Sequence, residues 1–285
     1  MSASDKTAAK SEGSEVPADP GTIAGATRLA LGGLFFYAAA LFTAALLATY
    51  GLLALVAQAV VAEVGLSRLG VVWAKDPDSA STVGLRNALR GFAFGTCAAL
   101  GATLLVIALR GGHFESGGVV LATLATGLLS AACTSVFHEL FFRGLVLRLT
   151  EKVKVLSLRI AAAGVASFAA TLAAPGATVL EAAVAGTLGA AMACLWLRER
   201  GAHMAMGAHA GWLFATRAVF RGGLFELAGG KGVLGGLGAG PYTGGAAWIA
   251  VAAGFLLAAV ALRRRSTQDA GGEPQGRKMD DSRVA

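Results

Sequence analysis

The chain has 285 residues, of which 55% are hydrophobic and only 14% are charged, and its net charge is +7. A chain with so few charges cannot present an ordinary charged surface to water, so the composition predicts an integral membrane protein in contact with a lipid bilayer. The positive charges sit between apolar segments, where membrane orientation places them, so we expect no nucleic-acid partner. The three cysteines all lie in apolar stretches and form no CxxC pair, which excludes a disulfide framework.

Apolar segments fill the chain between two polar ends. Residues 1–27 and the residues after 262 have the composition of disordered tails. Between them, stretches close to the roughly 20 residues that span a bilayer recur about seven times. They cover approximately 29–64, 88–109, 118–142, 158–174, 178–197, 203–220 and 246–262. The predicted fold class is therefore all-α, a polytopic membrane helix bundle of about seven transmembrane helices over residues 28–262. Segment 29–64 is predicted as one long tilted helix, with two short helices as the alternative.

Basic residues predict the orientation of this bundle. Lysine and arginine follow segments one, three, five and seven, whereas the loops near 113 and 176 contain almost none. Because basic loops remain in the cytoplasm, the pattern predicts a multi-pass protein of the cell (inner) membrane with a cytoplasmic C-terminus and an outer N-terminus. Arg217 and Arg221 lie at the opposite end of segment six and are the exception.

Ionisable residues interrupt the third segment. The stretch 134–148, TSVFHELFFRGLVLR, places His138, Glu139 and Arg143 within an otherwise apolar run. Charged groups are costly in a bilayer, so this cluster is a functional-site hypothesis. Glu139 and Arg143 are four residues apart on one helix face and can form an ion pair.

A second helix brings a histidine to the same level. Segment six starts from the same side of the membrane, so a rise of 1.5 Å per residue puts His138, Glu139 and His209 at a shared depth of roughly 6–12 Å. We expect the three side chains to face one another in a cavity that opens to the cytoplasm, with Glu139 and His209 within about 10 Å. The GxxxG spacing of Gly207 and Gly211 predicts close approach to a neighbouring helix.

Several known site chemistries do not fit. The HExxH motif of zinc proteases would need a second histidine where the chain has Phe142. No GxSG turn supplies an activated serine, and every aspartate lies in a tail or in the loop after segment one. The glycine-rich loop 229–245 lacks the spacing of a phosphate-binding P-loop.

Two remaining motifs resemble those of the CPBP family, the type II CAAX prenyl endopeptidases and bacteriocin-processing intramembrane proteases. Residues 138–144, HELFFRG, are similar to the family's EELFFRG, which contains its first motif EExxxR. Residues 209–214, HAGWLF, are similar to the HAGWNF that carries its HxxxN motif, and they follow 197–201, LRERG, as the family's motif follows LRxRTG. The resemblance covers about 118–215, and it implies a membrane-embedded peptide hydrolase without a cofactor.

The chain also departs from the family pattern. The family's first glutamate, which is assigned to activating water, is replaced by His138. The FxxxH motif is best matched by residues 168–172, FAATL, which puts Leu172 in place of the histidine, and Leu213 replaces the final asparagine. We expect Thr171 and Leu172 to line the cavity where the family's histidine would lie. The resemblance therefore carries over a catalytic set of Glu139, Arg143 and His209, with His138 as a substituted base and His209 as the oxyanion donor. A divalent metal held by His138, Glu139 and His209 is chemically possible but less favoured, because adjacent helical residues point about 100° apart.

Two classes of function remain open on the sequence. One is a CAAX-type endopeptidase with weakened or altered catalysis, acting on peptides or prenylated proteins. The other is a catalytically inactive family member, a pseudoenzyme that binds a membrane protein partner or confers immunity. In the second reading, Glu139 and Arg143 form only a structural ion pair and His209 only joins two helices.

Overall fold

The computed structural model of the chain describes residues 21–73, 82–110, 113–118, 121–220, 224–228 and 244–271. The predicted tails lie largely outside these ranges. Over the described residues the helices are α1 Ile23–Leu46, α2 Leu52–Arg68, α3 Thr82–Arg110, α4 Leu121–Glu139, α5 Val146–Leu149, α6 Leu156–Leu172, α7 Val179–Glu199, α8 His203–Phe214 and α9 Gly245–Gly271. Two short strands, β1 His113–Ser116 and β2 Phe225–Ala228, pair antiparallel. The protein is an all-α polytopic membrane bundle, as predicted, and five of the described helices are long and apolar enough to cross a membrane.

The first apolar segment forms two helices, so the prediction of one long helix is wrong. The chain leaves α1 after Leu46 and turns at Gly51, whose φ of 50° and ψ of −102° are accessible chiefly to glycine. The two helices pack side by side, and a Cβ placed on Gly65 of α2 would meet the ring of Phe36 in α1. This hairpin returns the chain to the end of the bundle from which it started.

The hairpin also determines where α1 starts in the bundle. Gly32, early in α1, packs against Leu69 just after α2, and Gly33 packs against Leu145 before α5. The start of α1 therefore lies beside the end of α2 and the start of α5. With a single helix over 29–64, the start of α1 and the end of α9 would instead lie at opposite ends of the bundle.

The helices at the ends of the predicted domain are longer than expected. Helix α1 begins at Ile23, before the predicted boundary at 28, because Thr22 caps it by accepting a hydrogen bond from the backbone N–H of Gly25 at 3.0 Å. Helix α9 continues to Gly271, beyond the predicted boundary at 262.

Two ends of the bundle can be distinguished by their connections. We call the basic end the one at which α2 ends, α3 begins and the connections 150–155 and 200–202 lie. We call the distal end the one formed by 47–51, by β1 and β2 and by 173–178. By sequence, lysine or arginine occurs in each of the stretches 69–81, 150–155 and 200–202. At the distal end, 47–51, 111–120 and 173–178 contain neither, whereas the stretch 221–243, which includes β2, contains Arg221 and Lys231.

Helix α8 lies at the centre of the bundle and packs tightly on α3. The two helices run parallel, and a Cβ on Gly207 or Gly211 would lie 2.0 or 2.1 Å from a backbone oxygen of α3. Gly91 and Gly95 of α3 face α8 with the same closeness. The predicted GxxxG contact is therefore confirmed, and glycine on both helices permits it.

Candidate active site

Helices α4 and α8 bring a carboxylate and an imidazole into direct contact. His209 Nδ1 lies 2.7 Å from Glu139 Oε1, within hydrogen-bonding distance. Both residues are buried, Glu139 completely. A neighbouring contact fixes the relative position of the two helices, because Ser135 of α4 donates a hydrogen bond to the backbone carbonyl of Met206 in α8 at 2.7 Å. The separation of Glu139 and His209 is therefore well within the expected limit of about 10 Å.

A π-helical turn, Leu140–Leu145, follows Glu139 directly and carries Arg143. Arg143 Nη1 lies 3.4 Å from Glu139 Oε1 and donates a hydrogen bond to the His138 carbonyl at 3.3 Å. The predicted ion pair is therefore present. Only 2% of Arg143 is exposed, and its Nε and the second carboxylate oxygen of Glu139 have no hydrogen-bond partner among the described residues. Turns of this kind are frequent at functional sites, and the apolar pattern of this segment does not predict one.

His138 lies beside the same cluster. Its ring centroid is 5.3 Å from that of His209, with the rings tilted by 35°, and it also contacts the rings of Phe137 and Phe142 at 5.6 and 5.5 Å. His138 is half-buried, unlike Glu139. The cluster therefore contains two imidazoles, one carboxylate and one guanidinium.

A cavity of about 530 Å³ adjoins this cluster. His138, Arg143 and His209 line its inner part, and Tyr37 of α1 contributes from the side. Further polar lining comes from α6, α7 and the segment after α8, namely Ser167, Thr171, Glu181, Thr216 and Arg217. Helices α4, α6 and α8 converge on it, as the sequence analysis predicted.

The α6 residue that faces the cavity differs from the predicted one. Ser167, Ala170, Thr171 and Ala174 form the helix face that lines it, whereas Leu172 is 44% exposed and lies outside the lining. The prediction that Leu172 lines the cavity is wrong, because Phe168, one turn before it, packs beside Gly186 of α7 and turns that face away. Thr171 does line the cavity, as predicted, and Leu213 lines it as well.

The cavity extends toward the distal end of the bundle. Its lining continues from the histidines through Val184 and Glu181 to the connection 174–177, most of which is exposed. This connection belongs to the distal end. The described lining contains no residue of the connections at the basic end, so the cavity opens away from the basic loops.

Two residues at the opening have structural roles of their own. Glu181 caps α7, because its carboxylate accepts the Thr178 N–H at 2.6 Å while its own N–H donates to the Thr178 hydroxyl at 3.2 Å. Arg217 lies in a second π-helical turn, Ala215–Val219, that follows α8. A carboxylate and a guanidinium therefore both lie near the opening.

The donor set does not assemble into a metal centre over the described chain. No group of three histidine, cysteine, aspartate or glutamate side chains is arranged there to hold a metal ion. Glu139 contacts His209, and it also contacts the cation Arg143. A guanidinium at the carboxylate oxygen competes with a bound cation.

These observations define a class of protein: a polytopic membrane bundle with a buried acid–histidine–arginine cluster at the inner end of a cavity. The protein-family model described as type II CAAX prenyl endopeptidase Rce1-like matches residues 119–215. This part of the chain is therefore a domain of the CPBP family, at family level an intramembrane protease domain, and the predicted resemblance is confirmed. No curated protein and no solved structure matches the chain. The matched residues contain α4 to α8, and thus both halves of the cluster.

Proposed function

We propose that the chain is a membrane-embedded endopeptidase in which Glu139, His209, Arg143 and His138 form the catalytic set. The observation that carries the proposal is the 2.7 Å contact between Glu139 Oε1 and His209 Nδ1 at the inner end of the cavity. A carboxylate at Nδ1 holds the N–H tautomer there and leaves Nε2 as the basic nitrogen. His209 is then the general base, a role that the sequence analysis gave to His138.

The hydrolysis proceeds by attack of water on a peptide carbonyl. His209 Nε2 removes a proton from the water, and the water oxygen bonds to the carbonyl carbon. This step generates a tetrahedral oxyanion. When the carbon–nitrogen bond breaks, the proton passes from His209 to the leaving nitrogen, and the products are a carboxylate and an amine. Glu139 stabilises the imidazolium that forms between the two steps.

The oxyanion requires hydrogen-bond donors on the opposite side of the reacting carbonyl. Arg143, His138 and Thr171 all line the cavity, and all three can donate. Each well-placed donor is worth about 3–4 kcal/mol of transition-state stabilisation. Leu213 supplies no such donor where the family resemblance implies an amide. We therefore expect weaker catalysis than in a family member that keeps every motif residue.

A specific feature favours the non-catalytic alternative, in which the cavity binds a membrane protein partner. Glu139 Oε1 is engaged by both Arg143 and His209, as in a closed structural network that joins two helices. Such a network would hold the fold together without any reaction. This alternative predicts that no peptide is cleaved and that substitutions in the cluster affect stability alone.

Cleavage of a peptide library by the purified protein in detergent separates the two functions. We expect slow cleavage by the natural chain and a further loss of about 10²–10⁴-fold in His209→Ala, the usual contribution of a general base. His203→Ala is the matched control, because His203 starts the same helix and lies outside the cavity lining. Equal rates in the natural chain and His209→Ala would reject the catalytic role of His209.

A further inference from the structure

The direction of the cavity bears on where its substrate comes from. The cavity reaches the exposed connection between α6 and α7 at the distal end, and its inner end stops at the level of His138, Phe142 and Arg143. Below that level, toward the basic end, α7 and α8 are closed by buried side chains that include Trp196, Ala202 and Met206. A peptide therefore reaches His209 from the distal end.

The charges of the two ends assign them to opposite sides of the membrane. The connection between α5 and α6 at the basic end carries Lys152 and Lys154 and is flanked by Arg148 and Arg159. Three distal connections, 47–51, 111–120 and 173–178, contain no lysine or arginine, and the fourth, which includes β2, contains only Arg221 and Lys231. Short loops rich in lysine and arginine stay in the cytoplasm, so the distal end faces the extracytoplasmic side.

The α1–α2 hairpin strengthens this assignment. Because α1 starts at the basic end, Arg28 in its first turns adds to the positive charge there. Both the start of α1 and the end of α9, with Arg263 and Arg264, then lie on the cytoplasmic side. Because the first apolar segment forms two helices, a cytoplasmic end of α9 is compatible with a cytoplasmic start of α1.

We infer that the site acts on polypeptide segments exposed on the extracytoplasmic side of the membrane, and not on prenylated tails in the cytoplasm. This inference rests on the proposed peptidase function for its chemistry, whereas the sidedness rests only on the cavity and the charges. The substrate class is an extended segment of an exported or membrane-anchored polypeptide. The distal part of the cavity is bordered by the small residues Ala174, Gly176 and Ala177.

Labelling of single cysteines tests the sidedness independently of activity. In a chain whose three native cysteines are replaced by alanine, Ala174→Cys, Val179→Cys and Lys154→Cys are treated in intact cells with a membrane-impermeant maleimide. We expect labelling at 174 and 179 and none at 154 until the cells are permeabilised. Labelling at 154 with protection at 174 would overturn the inference, whether or not the protein cleaves peptides.

Blocking and vesicle experiments test the route of the substrate. In detergent, a bulky maleimide at Ala174→Cys should abolish cleavage of the fastest library peptide. The same label at Val179→Cys, which lies at the same end but outside the cavity lining, should not. With a charged fluorophore on that peptide, right-side-out vesicles should cleave it and inverted vesicles should not. Cleavage by inverted vesicles alone would overturn the inference, whereas absence of any cleavage in detergent would reject the proposed function and leave the labelling to decide the side.

Discussion

Glu139 is the residue on which the candidate site depends. One of its oxygens contacts both Arg143 and His209, and the whole side chain is excluded from solvent. Removal of one partner of a buried ion pair leaves the other charge unpaired in a medium of low polarity. The same carboxylate that orients His209 for catalysis therefore also stabilises the fold.

A double-mutant cycle on Glu139 and Arg143 measures that second role. Glu139→Gln alone should lower the free energy of unfolding by about 3–5 kcal/mol, because Arg143 is left as a buried unpaired charge. Glu139→Gln with Arg143→Met should cost less than the sum of the single changes, with a coupling of about 0.5–3 kcal/mol. Unfolding in detergent, followed by thermal melting and denaturant titration, gives these values.

The partly exposed pair Arg148–Glu151 supplies the control for that cycle. Its side chains are 27% and 34% exposed, so Glu151→Gln should change stability by no more than about 1 kcal/mol. Additive costs for the Glu139 and Arg143 substitutions would mean that the two side chains do not stabilise each other.

At the scale of the elements, a hydrogen bond from Ser135 to the Met206 carbonyl supports the register between α4 and α8 beside the Glu139–His209 contact. Ser135→Ala removes the donor to the Met206 carbonyl and should destabilise the protein by about 1 kcal/mol. It should also lower any cleavage activity, because Ser135 lies one turn before Glu139 and fixes its position opposite His209. Ser130→Ala is the matched control, because Ser130 lies on the same helix and its side chain forms no hydrogen bond with the described residues. This variant should leave stability and activity unchanged. Unchanged activity in a destabilised Ser135→Ala protein would mean that this hydrogen bond does not position Glu139 for catalysis.

The contact between α3 and α8 makes a sharper prediction about packing. A Cβ on Gly95 would lie 1.8 Å from the backbone oxygen of Ala208, and backbone cannot move aside cheaply. Gly95→Ala should therefore destabilise the protein by about 1–3 kcal/mol or more. Gly101→Ala on the same helix meets no atom within 4 Å and should be neutral or stabilising by up to about 1 kcal/mol, since alanine is the better helix former. Equal melting temperatures for the two variants would contradict the close approach of α3 and α8.

The helices themselves were largely predictable from the sequence, and their rotation was not. Apolar length located α3, α4, α6, α7, α8 and α9 within several residues, because lipid requires long uninterrupted helices. The rotation of α6 depends on how Phe168 packs beside Gly186, a contact between distant parts of the chain. This rotation leaves Thr171 in the cavity lining and Leu172 outside it.

At the scale of the whole molecule, a single turn changes the number of helices in the first apolar segment. Gly51 lies in an apolar run, so composition alone did not distinguish a hairpin from one long helix. The hairpin places the start of α1 at the basic end. The motifs correctly predicted that Glu139, Arg143 and His209 lie together, because residue spacing and helix rise determine their depth. The direction of the cavity could not be predicted, because it depends on which helix ends separate.

The central claim is that the cavity is a peptide-hydrolysing site weakened by three substitutions from the family pattern. Its most direct test is the rate of peptide cleavage by the combined variant His138→Glu, Thr171→His and Leu213→Asn, measured beside the natural chain in one detergent. The corresponding variant with Leu172→His in place of Thr171→His is the control, and thermal melting checks that all three proteins are folded. We expect the Thr171 variant to cleave fastest, by about 10²-fold or more over the natural chain if one acid–base or donor group is regained. Equal rates in the two combined variants, or no gain over the natural chain in a folded protein, would contradict the account.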